Sequence, residues 1–308
     1  MNNDSKVKFS LNIYKCDNCS STNSRLLYNF KEEIDSFYDK KKRLIYVFKC
    51  SDCKLIYAKV FQSSQDKQRV DEIFFDETYL HQESESCTIS DFNGVLNKIK
   101  KYRGYGRLLD IGCGQGYFLK FAQDKGWNVE GIETAKNAVR HALKLRLKVK
   151  NKSLEDSSYP DSYFSTITQL GLIEHVESPR KLLQESNRIL KKKGVIVIFT
   201  PNAGSLFHFM ADIFYKLTGS YFAIKKIYYS RHLFYFTKKT LTAMLKKEGF
   251  EIREIQLVSL DMNKQFFTLF RKQKWARNPL IKIIAYFILA LSKLLRMETH
   301  MIIYAVKS

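Results

Sequence analysis

Three sets of residues in this chain of 308 have types and spacings that can do chemistry. Cys16-Asp17-Asn18-Cys19 and Cys50-Ser51-Asp52-Cys53 form two C-x-x-C pairs roughly thirty residues apart. A two-residue gap lets both sulfurs of a pair turn toward one ion, so the two pairs together can close a tetrahedral zinc sphere. Four thiolates leave no open position, which makes such a site structural rather than catalytic. A redox dithiol would need a βαβ context that these cysteines lack. Ser20 and Lys54 follow the pairs, where such knuckles often carry glycine. The second set is Asp110 with Gly112-x-Gly114-x-Gly116, an acidic residue and a glycine-rich turn that would bring backbone N–H groups against a polar ligand. The third is the six histidines, which can exchange a proton near neutral pH.

The elements around the glycine turn follow from hydrophobic pattern. Leu108, Leu109 and Ile111 make an apolar strand, and Phe118, Phe121 and Ala122 line one face of the helix after the turn, with Gly126 at its C-terminus. Glycine at 112–116 spares the turn a side chain that would hold a ligand off the backbone. A dinucleotide fingerprint would require glycine at position 117; Tyr117 disfavours a nicotinamide or flavin ligand. The next strand, Asn128 to Glu133, ends in a carboxylate placed to accept from two ribose hydroxyls. Thr134 is then expected to cap a helix bearing Ala138, Val139 and Ala142.

This stretch resembles motif I and the acidic second-strand end of class I S-adenosylmethionine (SAM)-dependent methyltransferases. The resemblance implies a Rossmann-like α/β fold with a seven-stranded sheet, order 3-2-1-4-5-7-6, its last strand antiparallel. It implies SAM as cofactor, with Asp110, Gly112, Gly114 and Gly116 at the methionine end and Glu133 at the ribose. Ser153 stands where an adenine-binding aspartate is usual, so Leu154 or Glu155 is expected to serve, through backbone or side chain. Ser165 likewise replaces the usual aspartate opening the fourth strand. Tyr159-Pro160-Asp161 and Glu174-His175-Val176 fall where the family has their counterparts.

These readings divide the chain into a zinc ribbon (1–61), a helical connector or lid (62–103) and a methyltransferase domain (104–308). Strands are expected at Ser24–Phe30 and Arg43–Lys49 of the ribbon. Within the connector a helix is expected around Ile89–Lys101, and Tyr79 and His81 are candidates to line the cofactor. Ser178-Pro179 should start a helix that Lys191–Lys193 and Gly194 end, followed by a buried strand at Val195–Asn202. Residues 203–236 form an aromatic insertion expected to cover the acceptor. Pro279 to Arg296 is almost wholly apolar apart from Lys282, Tyr286, Lys293 and Arg296, which share one helical stripe. It is too short to span a bilayer; it can lie in a membrane interface, basic groups toward anionic headgroups, or pack against the domain or a second copy.

The net charge of +21 suits an anionic partner such as nucleic acid, a phosphorylated lipid carrier or an acidic membrane face. A/T-biased coding, which enriches Lys with Asn, Ile, Tyr and Phe, explains it equally. No basic region followed by an apolar core opens the sequence, and no apolar run reaches membrane-spanning length. The expectation is a cytoplasmic protein, peripheral on the inner face of the membrane if the 279–296 segment meets lipid.

Methyl transfer from a sulfonium is an in-line displacement, in which the protein aligns acceptor, methyl and sulfur. A hydroxyl acceptor must lose a proton, and His232 and His175 are the candidate bases, with His81, His208 or a tyrosine as alternatives. No Asp, Glu and His cluster at ligand spacing is visible in the sequence, which disfavours magnesium-assisted transfer. Thr168-Gln169-Leu170-Gly171 is unlike the motif used for exocyclic amines of adenine or cytosine. The acceptor expected is a sugar hydroxyl in polysaccharide or lipid-linked glycan biosynthesis. An RNA (ribosomal RNA) methyltransferase, a quinone or lipid methyltransferase, and a non-catalytic SAM-binding protein remain open.

Overall fold

The structure is a computed structural model that describes residues 15–33, 42–61, 91–102, 106–228, 231–259 and 279–308. Tyr79 and His81 lie outside these residues. The seven-stranded sheet is built from β4 (Arg107–Ile111), β5 (Asn128–Ile132), β6 (Val149–Lys150), β7 (Phe164–Leu170), β8 (Leu190–Pro201), β10 (Phe250–Val258) and β11 (His300–Lys307). Its order is β10-β11-β8-β7-β4-β5-β6, and β11 runs antiparallel to both neighbours. In order of appearance along the sheet this is 3-2-1-4-5-7-6, as the resemblance implies.

Period-two alternation explains why these strands read as continuous apolar runs. Along β8, Val195, Val197 and Phe199 enter one core and Ile196 and Ile198 the other; on β11, Ile302 and Tyr304 oppose Ile303 and Ala305. One face is covered by α1 (Phe92–Tyr102) and α2 (Tyr117–Asp124), with Ala142 of α3 (Lys136–Lys144) joining them. The other is covered by α4 (Pro179–Ile189) and α7 (Lys238–Lys247). The helix α4 stops at Ile189 and β8 begins at once, earlier than Lys191–Gly194 suggests: Leu190 is fully buried beside Phe164 of β7, and pairing with that strand overrides the helical periodicity.

A second, four-stranded sheet has the order β1-β2-β3-β9, from β1 (Ser24–Glu33), β2 (Lys42–Cys50), β3 (Ile56–Phe61) and β9 (Phe234–Tyr235). The first three strands are the expected ribbon. The fourth arrives from far along the chain, pairing Ile56 with Tyr235 and Tyr57 with Phe234. Alternation again fixes its register: Phe234 and Phe236 enter the catalytic core, while Tyr235 enters a third core on the far side of the ribbon. The ribbon is therefore a middle layer. Tyr46, Phe48 and Tyr57 face the catalytic sheet, and Ile45, Val47 and Ala58 face the insertion helices α5 (Leu206–Thr218) and α6 (Phe222–Ile227).

The last helix, α8 (Pro279–Leu294), touches the rest of the molecule through a narrow strip: Ala285 and Leu289, packed under Phe207 of α5, and buried Ser292. Ile283, Ile284, Phe287 and Leu294 are exposed, as are Phe209, Ile213, Phe214 and Leu217 of α5. Among the described residues, no helix is long and apolar enough to cross a membrane.

Candidate active site and metal centre

The cofactor half is shaped by the turn after β4. Gly112, Gly114 and Gly116 have φ of 70°, 53° and 83°, the left-handed region that side chains resist. A Cβ on Gly116 would stand 2.5 Å from Leu147 Cδ1, whereas one on Gly114 would meet nothing within 4 Å. The first glycine of this pair lets the turn pack on α3; the other leaves the space that a ligand would take. Glu133 closes the turn from β5. Its Oε2 accepts from Gly114 N at 3.0 Å, and its Oε1 accepts from Thr134 N at 2.7 Å and Ala135 N at 2.9 Å. The N-cap of α3 is Ala135, without a side-chain cap, and not the expected Thr134; the Glu133 carboxylate instead holds the two N–H groups just ahead of the helix. Oε1 is filled by two N–H groups, and Oε2 keeps a lone pair for one incoming hydroxyl.

Asp110 lies beneath the turn, 2% exposed, with Thr168 Oγ1 donating to its Oδ1 at 2.6 Å. Burial pushes its carboxyl up to about 7; the Thr168 hydrogen bond opposes this and the Glu133 charge adds to it. Two buried carboxylates at one turn suit a cation, and SAM carries both an ammonium and a sulfonium. The adenine side is less defined. Ser153 Oγ donates to Asp156 Oδ2 at 2.6 Å and opens a short 3-10 turn. Leu154 is buried in the core, so only its backbone can meet a ligand, while Glu155 is exposed. Ser165 is turned away, its hydroxyl filling the place of a Gly106 Cβ.

The acceptor half lies where β7 and β8 end. Thr200 Oγ1 donates to Glu174 Oε2 at 2.9 Å, and the backbone N–H groups of Leu233 and Phe234 donate to the Glu174 carbonyl at 2.8 and 3.1 Å. Those bonds carry the segment leading into β9 across the sheet edge and set His232 against His175, ring centroids 4.7 Å apart at 68°. One carboxylate oxygen and two imidazole nitrogens, from Glu174, His175 and His232, lie within 4.8 Å of one another. The expectation of no such cluster is overturned: Glu174 and His232 stand 58 positions apart, and strand pairing rather than spacing unites them. His208 and His300 approach the same corner and contribute to the electrostatics at His232. Burial lowers all four imidazoles, His175 and His300 to about 4, His208 to about 3 and His232 well below its usual value, so they are neutral at pH 7. His141 belongs to the cofactor half, near the Gln115 carbonyl.

The aromatic insertion divides. Tyr215, Tyr221 and Tyr228 pack on the ribbon around Tyr28 and Phe30, Phe209 and Phe214 face outward, and among the described aromatic residues of the insertion Tyr228 and Tyr235 border the histidines. The expected aromatic cover is therefore mostly a clasp on the ribbon.

The four cysteines also converge. The Sγ atoms of Cys16 and Cys53, and of Cys19 and Cys50, are each 3.5 Å apart, and all four lie within 4.8 Å of one another. Tetrahedral zinc with bonds of about 2.3 Å requires sulfurs about 3.8 Å apart, so the donor set fits that ion. Ser20 and Lys54 take φ of 61° and 65°, the left-handed turn that glycine would supply, and each N–H bonds back to the first cysteine of its pair. Between the cysteines, Asp17 caps α4 from outside: it accepts from Ser178 Oγ at 2.7 Å and Arg180 N at 2.8 Å.

Residues 79–255 match the model of a methyltransferase domain family. The chain belongs to that family. With this sheet order it is a class I SAM-dependent methyltransferase. The methyltransferase is 25% identical over 175 residues to an uncharacterised protein of Methanocaldococcus jannaschii, covering 56% of this chain and 78% of that one. It is 34% identical over 101 residues to a ubiquinone biosynthesis O-methyltransferase of Pelagibacter ubique, covering 31% of this chain and 42% of the relative, so that match spans less than half of the curated enzyme. A crystal structure of a SAM-dependent methyltransferase from Archaeoglobus fulgidus aligns with a TM-score of 0.48 at 22% identity, over 75% of this chain and 100% of that one.

Proposed function

We propose that the methyltransferase moves the methyl group of SAM to a sugar hydroxyl in polysaccharide or lipid-linked glycan synthesis, at the cytoplasmic face of a membrane. The supporting observation is that one sheet edge carries both the Glu174–His175–His232 corner and an apolar outer surface. The insertion helix α5 starts just after β8, α8 leads straight into β11, and the two helices pack together through Phe207. Exposed Lys216, Lys225, Lys226, Lys293 and Arg296 accompany this surface. An apolar face with basic neighbours suits anionic lipid headgroups, and a lipid carrier would deliver its hydroxyl to the adjoining corner.

In this reading residues 1–61 are a structural zinc ribbon held by Cys16, Cys19, Cys50 and Cys53, 62–103 connect it, and 104–308 perform transfer. Asp110 and the turn of Gly112, Gly114 and Gly116 hold the methionine end of SAM, which supplies the electrophilic methyl. Glu133 takes a ribose hydroxyl, and Leu154 N–H with Glu155 bounds the adenine. His175 and His232 bind the acceptor hydroxyl and direct its lone pair at the methyl carbon.

The test offers methyl-labelled SAM with lipid-linked oligosaccharide, a quinol precursor or RNA as acceptor. Label in the oligosaccharide supports the proposal; none there sinks it. Label in the quinol precursor would establish the second reading, which similarity to the ubiquinone biosynthesis O-methyltransferase of Pelagibacter ubique favours. Cosedimentation with phosphatidylglycerol vesicles, weakened at least about tenfold by Phe287→Glu with Leu294→Glu, checks the lipid surface. Binding unchanged in that variant removes it.

A further inference from the structure

From the acceptor corner we infer a second metal site: Glu174, His175 and His232 bind one first-row divalent transition ion, which takes the acceptor hydroxyl as a further ligand. The inference rests on the O-methylation reading above and deepens it.

The hydrogen-bond directions carry the argument. His175 Nδ1 stands 2.8 Å from the Arg231 carbonyl, which can only accept, so Nδ1 holds the proton and Nε2 presents a lone pair. That lone pair faces Glu174 Oε1 at 4.0 Å. Two acceptors thus face each other in a buried place, with a third donor atom of His232 within 4.8 Å of both. A cation between them satisfies both, with the His232 nitrogen in reach as a third ligand. The outer contacts are those metal ligands ordinarily have: His175 gives its second nitrogen to a backbone carbonyl, and Thr200 fixes the other oxygen of Glu174. Gly171 stands opposite Oε1, where even an added Cβ would come no nearer than 3.9 Å, so the ion's remaining positions are open on that side. Two imidazoles with one carboxylate favour zinc-like or manganese-like ions over magnesium and calcium, which prefer oxygen ligands throughout.

Ligation changes where the acceptor's proton goes. The imidazole lone pairs are engaged by the ion, so the coordinated hydroxyl, made more acidic by the charge, releases its proton to water. Its oxygen lone pair then forms the O–CH3 bond as the C–S bond breaks and sulfur keeps that pair. The products are a methyl ether, S-adenosylhomocysteine and a solvated proton.

The experiment keeps zinc in the cysteine site and titrates the full chain with Mn2+, following loss of the free-ion electron paramagnetic resonance signal. One Mn2+ bound per chain, displaced by Zn2+, is the expected result. Glu174→Gln and His232→Gln should each weaken it at least about tenfold, and Thr200→Val, which keeps shape, by about tenfold as well. SAM binding and cysteine-held zinc report that the variants are folded. No Mn2+ or Zn2+ beyond the cysteine-held ion, or undiminished binding in folded Glu174→Gln, overturns the site. Glycan methylation that survives removal of this ion overturns its catalytic role while leaving the glycan reading standing. Ion binding with no glycan methylation does the reverse.

Discussion

On the β4–β5 side of the sheet edge, the central groups of the glycine turn come from one short stretch, Asp110 to Glu133, with Thr168, His141 and Asn151 added from nearby elements. On the β7–β8 side, Glu174 and His175 depend on His232, which is held by a strand paired to the cysteine ribbon. The first half is a local structure that carries its own positioning. The second is assembled from three distant parts of the chain. Damage to the ribbon should therefore reach the acceptor half and spare the cofactor half.

The largest effect that sharpens this contrast is expected from Cys50→Ser. Losing the metal should release β9 and lower methyl transfer by about 100-fold or more, the scale of a small misplacement at a reacting centre. SAM affinity should change by no more than about twofold, as for distant independent sites. Equal loss of both, measured by transfer assay and calorimetry, would break the contrast. Gly116→Val is the mirror image. A branched side chain at φ 83°, driven toward Leu147, should cost about 2–5 kcal/mol and most SAM binding, from left-handed strain and overpacking together. Metal content of the cysteine cluster should be unchanged.

A pH measurement on one substitution isolates the cofactor half, since burial also pushes Glu174 of the other half up to about 7. Folded Asp110 titrates at about 7 against 3.8 for an ordinary aspartate, because it is buried. Between those values the folded chain keeps a proton that the unfolded chain has released. The stabilisation is complete below 3.8, falls as pH rises toward 7, and is level above. Urea titrations of ligand-free Asp110→Asn should lack that part of the slope; an unaltered slope contradicts the assignment. The smallest effect is expected from Asp17→Ala, which removes an outer cap of α4 and should cost about 1 kcal/mol in thermal unfolding without altering SAM affinity.

Legibility followed the same division. The glycine turn, Glu133 and the paired cysteines are written in local spacing, which is why they can be read without coordinates; the order of the large sheet follows only from the family that those motifs resemble. Even there the chemistry shifted details: the helix after Glu133 starts at Ala135 with no side-chain cap where Thr134 was expected, and strand pairing claimed Leu190 from a helix. The Glu174–His175–His232 corner has no local signature. Its histidine arrives by a two-residue strand whose alternation, Phe234 and Phe236 against Tyr235, is too short to announce a partner. The outward side of α8 was half legible: the apolar run was plain, but that Ala285, Leu289 and Ser292 would be its buried residues among those described depends on where Phe207 lies.

The pairing of β3 with β9 also sets the order in which a nascent chain can finish its parts. The cysteine strands leave the ribosome well before Phe234, a delay of roughly 10 to 35 s at usual elongation rates. Until then the outer edge of β3 lacks its native neighbour and Tyr46, Phe48 and Tyr57 lack the catalytic sheet that will cover them. An open edge beside uncovered aromatic rings invites association between chains. Zinc captured early by the two knuckles would hold the ribbon's shape through that interval, so the metal's first service is during synthesis, before any methyl group is moved.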